Sequence, residues 1–275
     1  MNEILLPAIV LGVLGALFGL GLAVSKRVFR VPQDPRVDAI FKRLPGVNCG
    51  ACGQAGCMGF AEALIQGVCE PQKCTVSDED TRHEIAGILG LEQVTAEKTA
   101  AVLHCHGGSL RAKDKYVYDG VCECKTAAQL MGGKKLCQFG CIGFGTCALA
   151  CPFGAITMSD EHLPVVDEAK CTSCGQCVRA CPKKLFTIEK AGKRFAVRCR
   201  SQALGRTVMQ GCSVGCIACR KCEKACPVAA ISITDNLATI DYSKCDNRGE
   251  CFKVCPTAAI ARKEKGSWRN RKEEK

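Results

Sequence analysis

KLCQFGCIGFGTCALACPFGAITM, residues Lys135 to Met158, and QGCSVGCIACRKCEKACPVAAISI, residues Gln210 to Ile233, align without a gap. Each is followed by a second cysteine run: EAKCTSCGQCVRACP from Glu168 to Pro182, and YSKCDNRGECFKVCP from Tyr242 to Pro256. The chain therefore contains an internal duplication, two modules of two runs each. All four runs end in Cys-Pro, at Cys151-Pro152, Cys181-Pro182, Cys226-Pro227 and Cys255-Pro256. The second runs also match position by position. Cys171, Cys174, Cys177 and Cys181 face Cys245, Arg248, Cys251 and Cys255, so one run has an arginine where the other has a cysteine.

A run C-x2-C-x2-C-x3-C-P is the bacterial two-cluster ferredoxin pattern. Its first three cysteines hold one iron–sulfur cluster and the fourth crosses to the other. The crossing rule gives two complete sets, Cys151 with Cys171, Cys174 and Cys177, and Cys255 with Cys216, Cys219 and Cys222. Two sets are one short. In the first module Cys141, Cys147 and Cys181 remain, Phe144 stands at the vacancy, and Cys137, four residues before the run, is the expected stand-in. In the second, Cys226, Cys245 and Cys251 remain, with Arg248 at the vacancy. Three thiolates suit a 3Fe–4S centre, or a 4Fe–4S cluster with a non-cysteine or borrowed fourth ligand, in preference to the alternative of an empty site. The Arg248 guanidinium could then hydrogen-bond cluster sulfide and raise its potential. Cys212 is the repeat equivalent of Cys137 but precedes a run whose set is already full. The stretches after each run, AIT and AIS, suit the short hairpins of this fold.

A further site precedes the duplication. LPGVNCGACGQAGCMGFAEALIQGVCEPQKC, Leu44 to Cys74, places Cys49, Cys52, Cys57 and Cys74 in a C-x2-C-x4-C-x16-C spacing. Gly50, Gly53 and Gly56 let the backbone wrap closely round a cluster. The stretch MGFAEALIQG reads as a helix. Zinc more often uses two paired knuckles. Cys69 is off the pattern and is expected as a small buried apolar residue. From Thr75 to Thr99 the chain reads as a tether with one helix capped by Ser77, and His83 as a surface residue.

Of 275 residues, 25 are cysteine, and aromatics make up only 5%. Cysteines two residues apart point at a common centre rather than pairing, so the composition suits small modules stapled by clusters. The formal charge is +11. A cluster core of about +2 with four thiolates carries roughly −2, so five such sites would cancel about 10 charges. That argues against a nucleic-acid partner. The remaining basic residues suit an acidic protein partner.

Ile4 to Val24 holds 21 residues without a charge, roughly 32 Å of helix and enough to span a bilayer. Lys26, Arg27 and Arg30 follow, against Glu3 before it. The positive-inside rule places the rest of the chain in the cytoplasm, where thiols stay reduced. The segment lacks the flanks of a cleaved signal peptide. Gly15 and Gly19 form a GxxxG, a pattern for close packing with a membrane partner.

The order of anchor, LPGxNCGACGxxGC site, cysteine-containing linker and paired ferredoxin runs resembles the B subunit of the Rnf complex, over roughly residues 4–262. The stretch Glu123 to Ala128 and the VRCRS around Cys199 also look like family segments. The resemblance implies an electron-transfer subunit of an ion-translocating ferredoxin:NAD oxidoreductase. Such a protein takes electrons from soluble ferredoxin and passes them to the membrane core and flavin-bearing partners of the complex. It also implies a single-pass protein of a bacterial or archaeal cytoplasmic membrane, with its clusters on the cytoplasmic side. Arg248 departs from the family pattern. The rival readings are a free-standing membrane-tethered polyferredoxin and the iron–sulfur subunit of another membrane dehydrogenase.

The expected fold is α+β and multi-domain. It comprises a transmembrane anchor (1–30), a small helical 4Fe–4S domain (31–75), and a linker with a cysteine-containing segment (76–129). Two ferredoxin-like modules (130–192 and 193–262) and a charged, disordered tail (263–275) follow. Four or five 4Fe–4S clusters are expected. No nucleophile–base pair, phosphate-binding glycine loop or flavin-attachment motif is present, so no catalytic residue is assigned. Spacing gives no role to Cys105, Cys122, Cys124, Cys199 or Cys212; Cys105 and Cys124 are candidates to share a further site.

Overall fold

The computed structural model describes residues 2–29, 34–91, 98–264 and 267–272. Helix α1, Asn2–Val28, opens the chain. Its stretch Ile9–Val28 has a mean hydropathy of 2.0 over 20 residues and no burial within the chain. Gly15 and Gly19 have no neighbour in this chain close enough to touch an added Cβ. Lys26 and Arg27 form its last turn; Arg30 lies outside the described residues.

Three helices build the next unit: α2 (Pro35–Phe41), α3 (Gly56–Ile65) and α4 (Glu79–Leu89). Asp34 caps α2 through the Arg36 N–H, with Pro35 at the first helical position, where a missing N–H costs nothing. Phe60, Ile40, Ile85 and Leu64 pack between the helices, and Cys69 is buried among them as expected. Helix α4 is capped by Asp78, whose carboxylate accepts from the Thr81 N–H at 2.8 Å, and not by Ser77. The Ser77 hydroxyl instead donates to Cys74 Sγ at 3.0 Å. His83 is a partly exposed side chain 4.0 Å from Glu79.

Beyond two short helices, α5 (Cys124–Gln129) and α6 (Gly205–Gly211), the described residues that follow form strands and single helical turns, most of them laid out twice. The strands are β1 (Thr99–Leu103), β2 (Ile156–Met158), β3 (Pro164–Val166), β4 (Phe186–Lys190), β5 (Phe195–Val197), β6 (Ile231–Thr234), β7 (Leu237–Ile240), β8 (Ile260–Glu264) and β9 (Ser267–Asn270). In the first repeat β2 pairs with β3, and β1 with β4. In the second, β6 pairs with β7, and β5 with β8. All four pairings are antiparallel. The hairpins fall where the AIT and AIS stretches put them.

Two expectations change here. The segment 76–129 is more than a linker, because β1 completes the sheet of the first repeat, with Leu103 opposite Phe186. The charged tail is not wholly without structure. Strand β9 pairs with β8, and Asn270 is fully buried. Residues 265–266 and 273–275 of that tail lie outside the described residues. Each repeat core mixes aliphatic side chains with thiols, such as Leu103, Leu185 and Phe186 around Cys141, Cys147 and Cys177.

Candidate metal centres

The loop before α3 runs through three left-handed glycines, Gly50, Gly53 and Gly56. Asn48 Oδ1 accepts from the Cys57 N–H at 2.8 Å. A Cβ at Gly56 would sit 2.8 Å from that oxygen, so only glycine closes the loop this tightly. Cys49, Cys52, Cys57 and Cys74 line one cavity with Val47 and Phe60.

In the first repeat Cys177 stands within electrostatic reach of Cys171 and Cys174, and Cys174 within reach of Cys151. Backbone N–H groups aim at these sulfurs, from Ala155 to Cys151 at 3.4 Å and from Ala101 to Cys171 at 3.5 Å. The second cavity of this repeat holds Cys141, Cys147, Cys181 and Cys124. Cys124 therefore occupies the corner that the run leaves open. It starts α5, and its own N–H donates to Thr146 Oγ1 at 2.9 Å. Phe144, at the vacancy, packs against Tyr118 with ring centroids 5.4 Å apart.

Cys137, the expected stand-in, lies elsewhere, in a cavity with Cys105, Cys199 and Cys212. Cys105 and Cys124 thus belong to different groups. Sequence spacing could not reveal this, because Cys105 and Cys124 come from outside the runs and arrive through β1 and α5. Cys122 is exposed and joins no group.

In the second repeat Cys216, Cys219, Cys222 and Cys255 line one cavity with Val197, Ile233 and Ile260. Cys251 is within reach of Cys245 and Cys226, and the Ala230 N–H points at Cys226 Sγ at 3.3 Å. Arg248 does not face these thiols. Its side chain is 64% exposed, with Nε 2.5 Å from Asp246 Oδ2. The loop nevertheless keeps the shape of its repeat partner. Asn247 and Gly249 flank Arg248 with φ of 60° and 84°, as Ser173 and Gly175 flank Cys174 with 58° and 71°.

Burial pushes the thiols of Cys147, Cys177 and Cys222 up to about 12, and neighbouring cysteines add to the shift. Such groups become thiolates only against a strong local positive charge, which iron supplies. Among the described residues no three His, Cys, Asp or Glu side chains gather tightly enough for a single metal ion. The thiols instead ring cavities and receive backbone N–H groups, the arrangement that suits an iron–sulfur core. The residues fit the cluster.

Thiol sets carried on duplicated hairpins define an iron–sulfur electron carrier. The family comparisons agree. An "Fe-S cluster" family model matches residues 44–76, and two "4Fe-4S dicluster domain" models match 140–186 and 215–259. The chain is 41% identical over 261 residues to the B subunit of the ion-translocating oxidoreductase complex of Methanosarcina acetivorans, covering 94% of this chain and 99% of that protein. It is 41% identical to the B subunit of the Na(+)-translocating ferredoxin:NAD(+) oxidoreductase complex of Acetobacterium woodii, over 95% of this chain and 78% of that one. The proton-translocating counterpart of Clostridium ljungdahlii is 38% identical, over 94% and 93%. The chain belongs to the family of B subunits of ion-translocating oxidoreductase complexes. It is a membrane-associated carrier with multiple 4Fe–4S clusters.

Proposed function

We propose that this chain wires electrons between soluble ferredoxin and the membrane core and flavin-bearing subunits of an ion-translocating ferredoxin:NAD oxidoreductase. The names of the relatives in Acetobacterium and Clostridium support the pair of substrates. Lys26 and Arg27 in the last turn of α1 favour the cytoplasmic side for everything that follows. The ligand sets are Cys49, Cys52, Cys57 and Cys74; Cys151, Cys171, Cys174 and Cys177; Cys124, Cys141, Cys147 and Cys181; Cys216, Cys219, Cys222 and Cys255; and the three thiolates Cys226, Cys245 and Cys251.

Continuity between sets carries this reading. Cys49 is within reach of Cys174, and Cys147 within reach of both Cys177 and Cys181, so the first three sets form an unbroken series. A bound 4Fe–4S cluster supplies a one-electron couple. The chain's part is to hold the thiolates, aim backbone N–H groups at sulfur, and exclude water with side chains such as Phe60, Leu185 and Ile260. Anaerobic purification in mild detergent tests the assignment. Flavin-bearing membrane proteins should co-purify, and reduced ferredoxin should bleach the cluster absorbance. A chain isolated alone, with no flavin partner, overturns it.

A further inference from the structure

Four cysteines outside the assigned sets share one cavity: Cys105, Cys137, Cys199 and Cys212. The internal repeat orders them in pairs. Cys137 and Cys212 each stand four residues before the first cysteine of their module's run. Cys105 follows the end of β1 by two residues, and Cys199 follows the end of β5 by two. Strands β1 and β5 are themselves repeat equivalents, each pairing with the strand after its module's second run. Each module therefore gives the same two thiols to a cavity that lies between them.

The backbone around the cavity shows the same symmetry. The Cys141 N–H points at Cys105 Sγ at 3.4 Å. The Cys216 N–H, its repeat equivalent, bonds the thiol of Cys199. The residue before each strand-end cysteine reaches across to the other module. His104 Nδ1 lies 2.9 Å from the Val197 carbonyl, and the Arg198 guanidinium donates to the Cys105 carbonyl at 3.4 Å. The linker is held to the second module by the Ala112–Cys212 bridge and by the Lys113 N–H donating to the Gly211 carbonyl at 2.9 Å.

Steric and charge details agree. A Cβ at Gly107 would stand 3.0 Å from Cys212 Sγ and 4.0 Å from Cys105 Sγ, so these sulfurs flank one point that only glycine leaves open. Buried Lys135 and Arg198 lie beside the thiols. Four thiolates around a cluster core carry about −2, a charge that neighbouring cations favour.

We propose that Cys105, Cys137, Cys199 and Cys212 are the four ligands of an additional 4Fe–4S cluster seated between the two ferredoxin-like modules. The site explains why Cys137 does not fill the Phe144 vacancy and why Cys212 precedes a full set. It also closes the gap in the electron path. Cys141 belongs to a set of the first module and Cys216 to a set of the second, and each backbone N–H contacts a thiol of the bridging site. The inference rests on the cluster reading of the other sets, and the test separates the two.

The full chain, purified anaerobically, is assayed for iron, acid-labile sulfide and zinc. With the bridging site filled it should hold about 23 to 24 irons, against about 20 or fewer without it. Cys105→Ala and Cys199→Ala should each remove about 4 irons or convert one cluster to a 3Fe–4S signal, and the double variant should remove no more than about 4, because both residues serve one cluster. Cys69→Ala, outside every set, should remove none. An unchanged iron content in both single variants, a loss of about 8 in the double variant, or a stoichiometric zinc would overturn the bridging site. A wild-type chain with no iron at all would instead overturn the proposed function. If the variants fold poorly, the wild-type count decides alone.

Discussion

The guanidinium of Arg179 donates to the carbonyl of Cys49 at 2.6 Å and to that of Cys174 at 3.3 Å. One side chain thus pins the loop of the first thiol set against a loop of the first ferredoxin-like module. A charge-assisted bond of this kind, partly exposed, stabilises the docked arrangement by about 1 kcal/mol. Arg179→Ala should therefore raise the undocked fraction about fivefold. Hydrogen exchange over residues 48–57 should accelerate by a similar factor while the iron content stays constant. Exchange at the wild-type rate would show that the docking does not depend on Arg179.

Cys124 supplies the corner that Phe144 leaves open. Cys124→Ala should remove one cluster of the first module, seen as a loss of about 4 irons or a conversion to a 3Fe–4S signal. Phe144→Leu should leave the iron content unchanged, because Phe144 contributes packing against Tyr118 and the Cys124–Ile142 core, which leucine largely keeps. A full EPR signal from the Cys124 variant would rule out its ligand role.

These residues also mark where sequence reading stops. The four Cys-Pro runs and the N-terminal site show their spacing because their ligands are local, set within one loop and one helical turn. Cys105, Cys124 and Cys199 lie outside any run and reach their cavities through β1, α5 and β5, so no spacing announces them. The repeat held a usable signal: Cys137 and Cys212 occupy equivalent positions, which argues for one shared role rather than a stand-in and an orphan. Strand β9 was hidden for a different reason. Its residues, SWRN, lie in a basic tail, and pairing with β8 outweighs their weak local preference. At α4 the cap moved by one residue because Ser77 bonds Cys74 Sγ, leaving Asp78 to satisfy the helix.

Glu189 sits on β4 at the boundary between the modules. Burial alone would raise its carboxyl, but hydrogen bonds from His104 and Thr187 and the charge of Lys193 outweigh burial and hold it at about 2. A carboxyl depressed in the folded state stabilises the fold fully above its unfolded value, and that stability is lost as pH falls through the folded value. The shift corresponds to about 3 kcal/mol at most. Glu189→Gln should therefore cost about 1–3 kcal/mol in denaturant unfolding at pH 7, and the gap should close as pH falls from about 4 towards 2. A gap that persists unchanged down to about pH 2 would contradict the assignment.

Helix α1 buries none of its apolar stretch Ile9–Val28 in the chain. Removing residues 1–29 should therefore give a protein that remains in solution without detergent and keeps its iron. Persistent sedimentation with membranes would locate the attachment in the folded part instead.

Arg248 decides the last site. The loop around it keeps the left-handed residues of a cluster loop, and the guanidinium pairs with Asp246 in solvent. The position is therefore shaped for a ligand but occupied by a side chain that turns away. An exposed pair of this kind contributes about 0–1 kcal/mol, so replacing it is tolerated. Arg248→Cys restores the residue that Cys174 supplies in the first module. The wild-type chain should show a 3Fe–4S or atypically ligated signal from Cys226, Cys245 and Cys251. The variant should convert it to an ordinary 4Fe–4S signal with about 1 more iron per chain where the wild type holds three. If the EPR spectrum and iron count of Arg248→Cys match wild type, the fourth corner is already filled by another atom of the chain, and the vacancy is one of sequence alone.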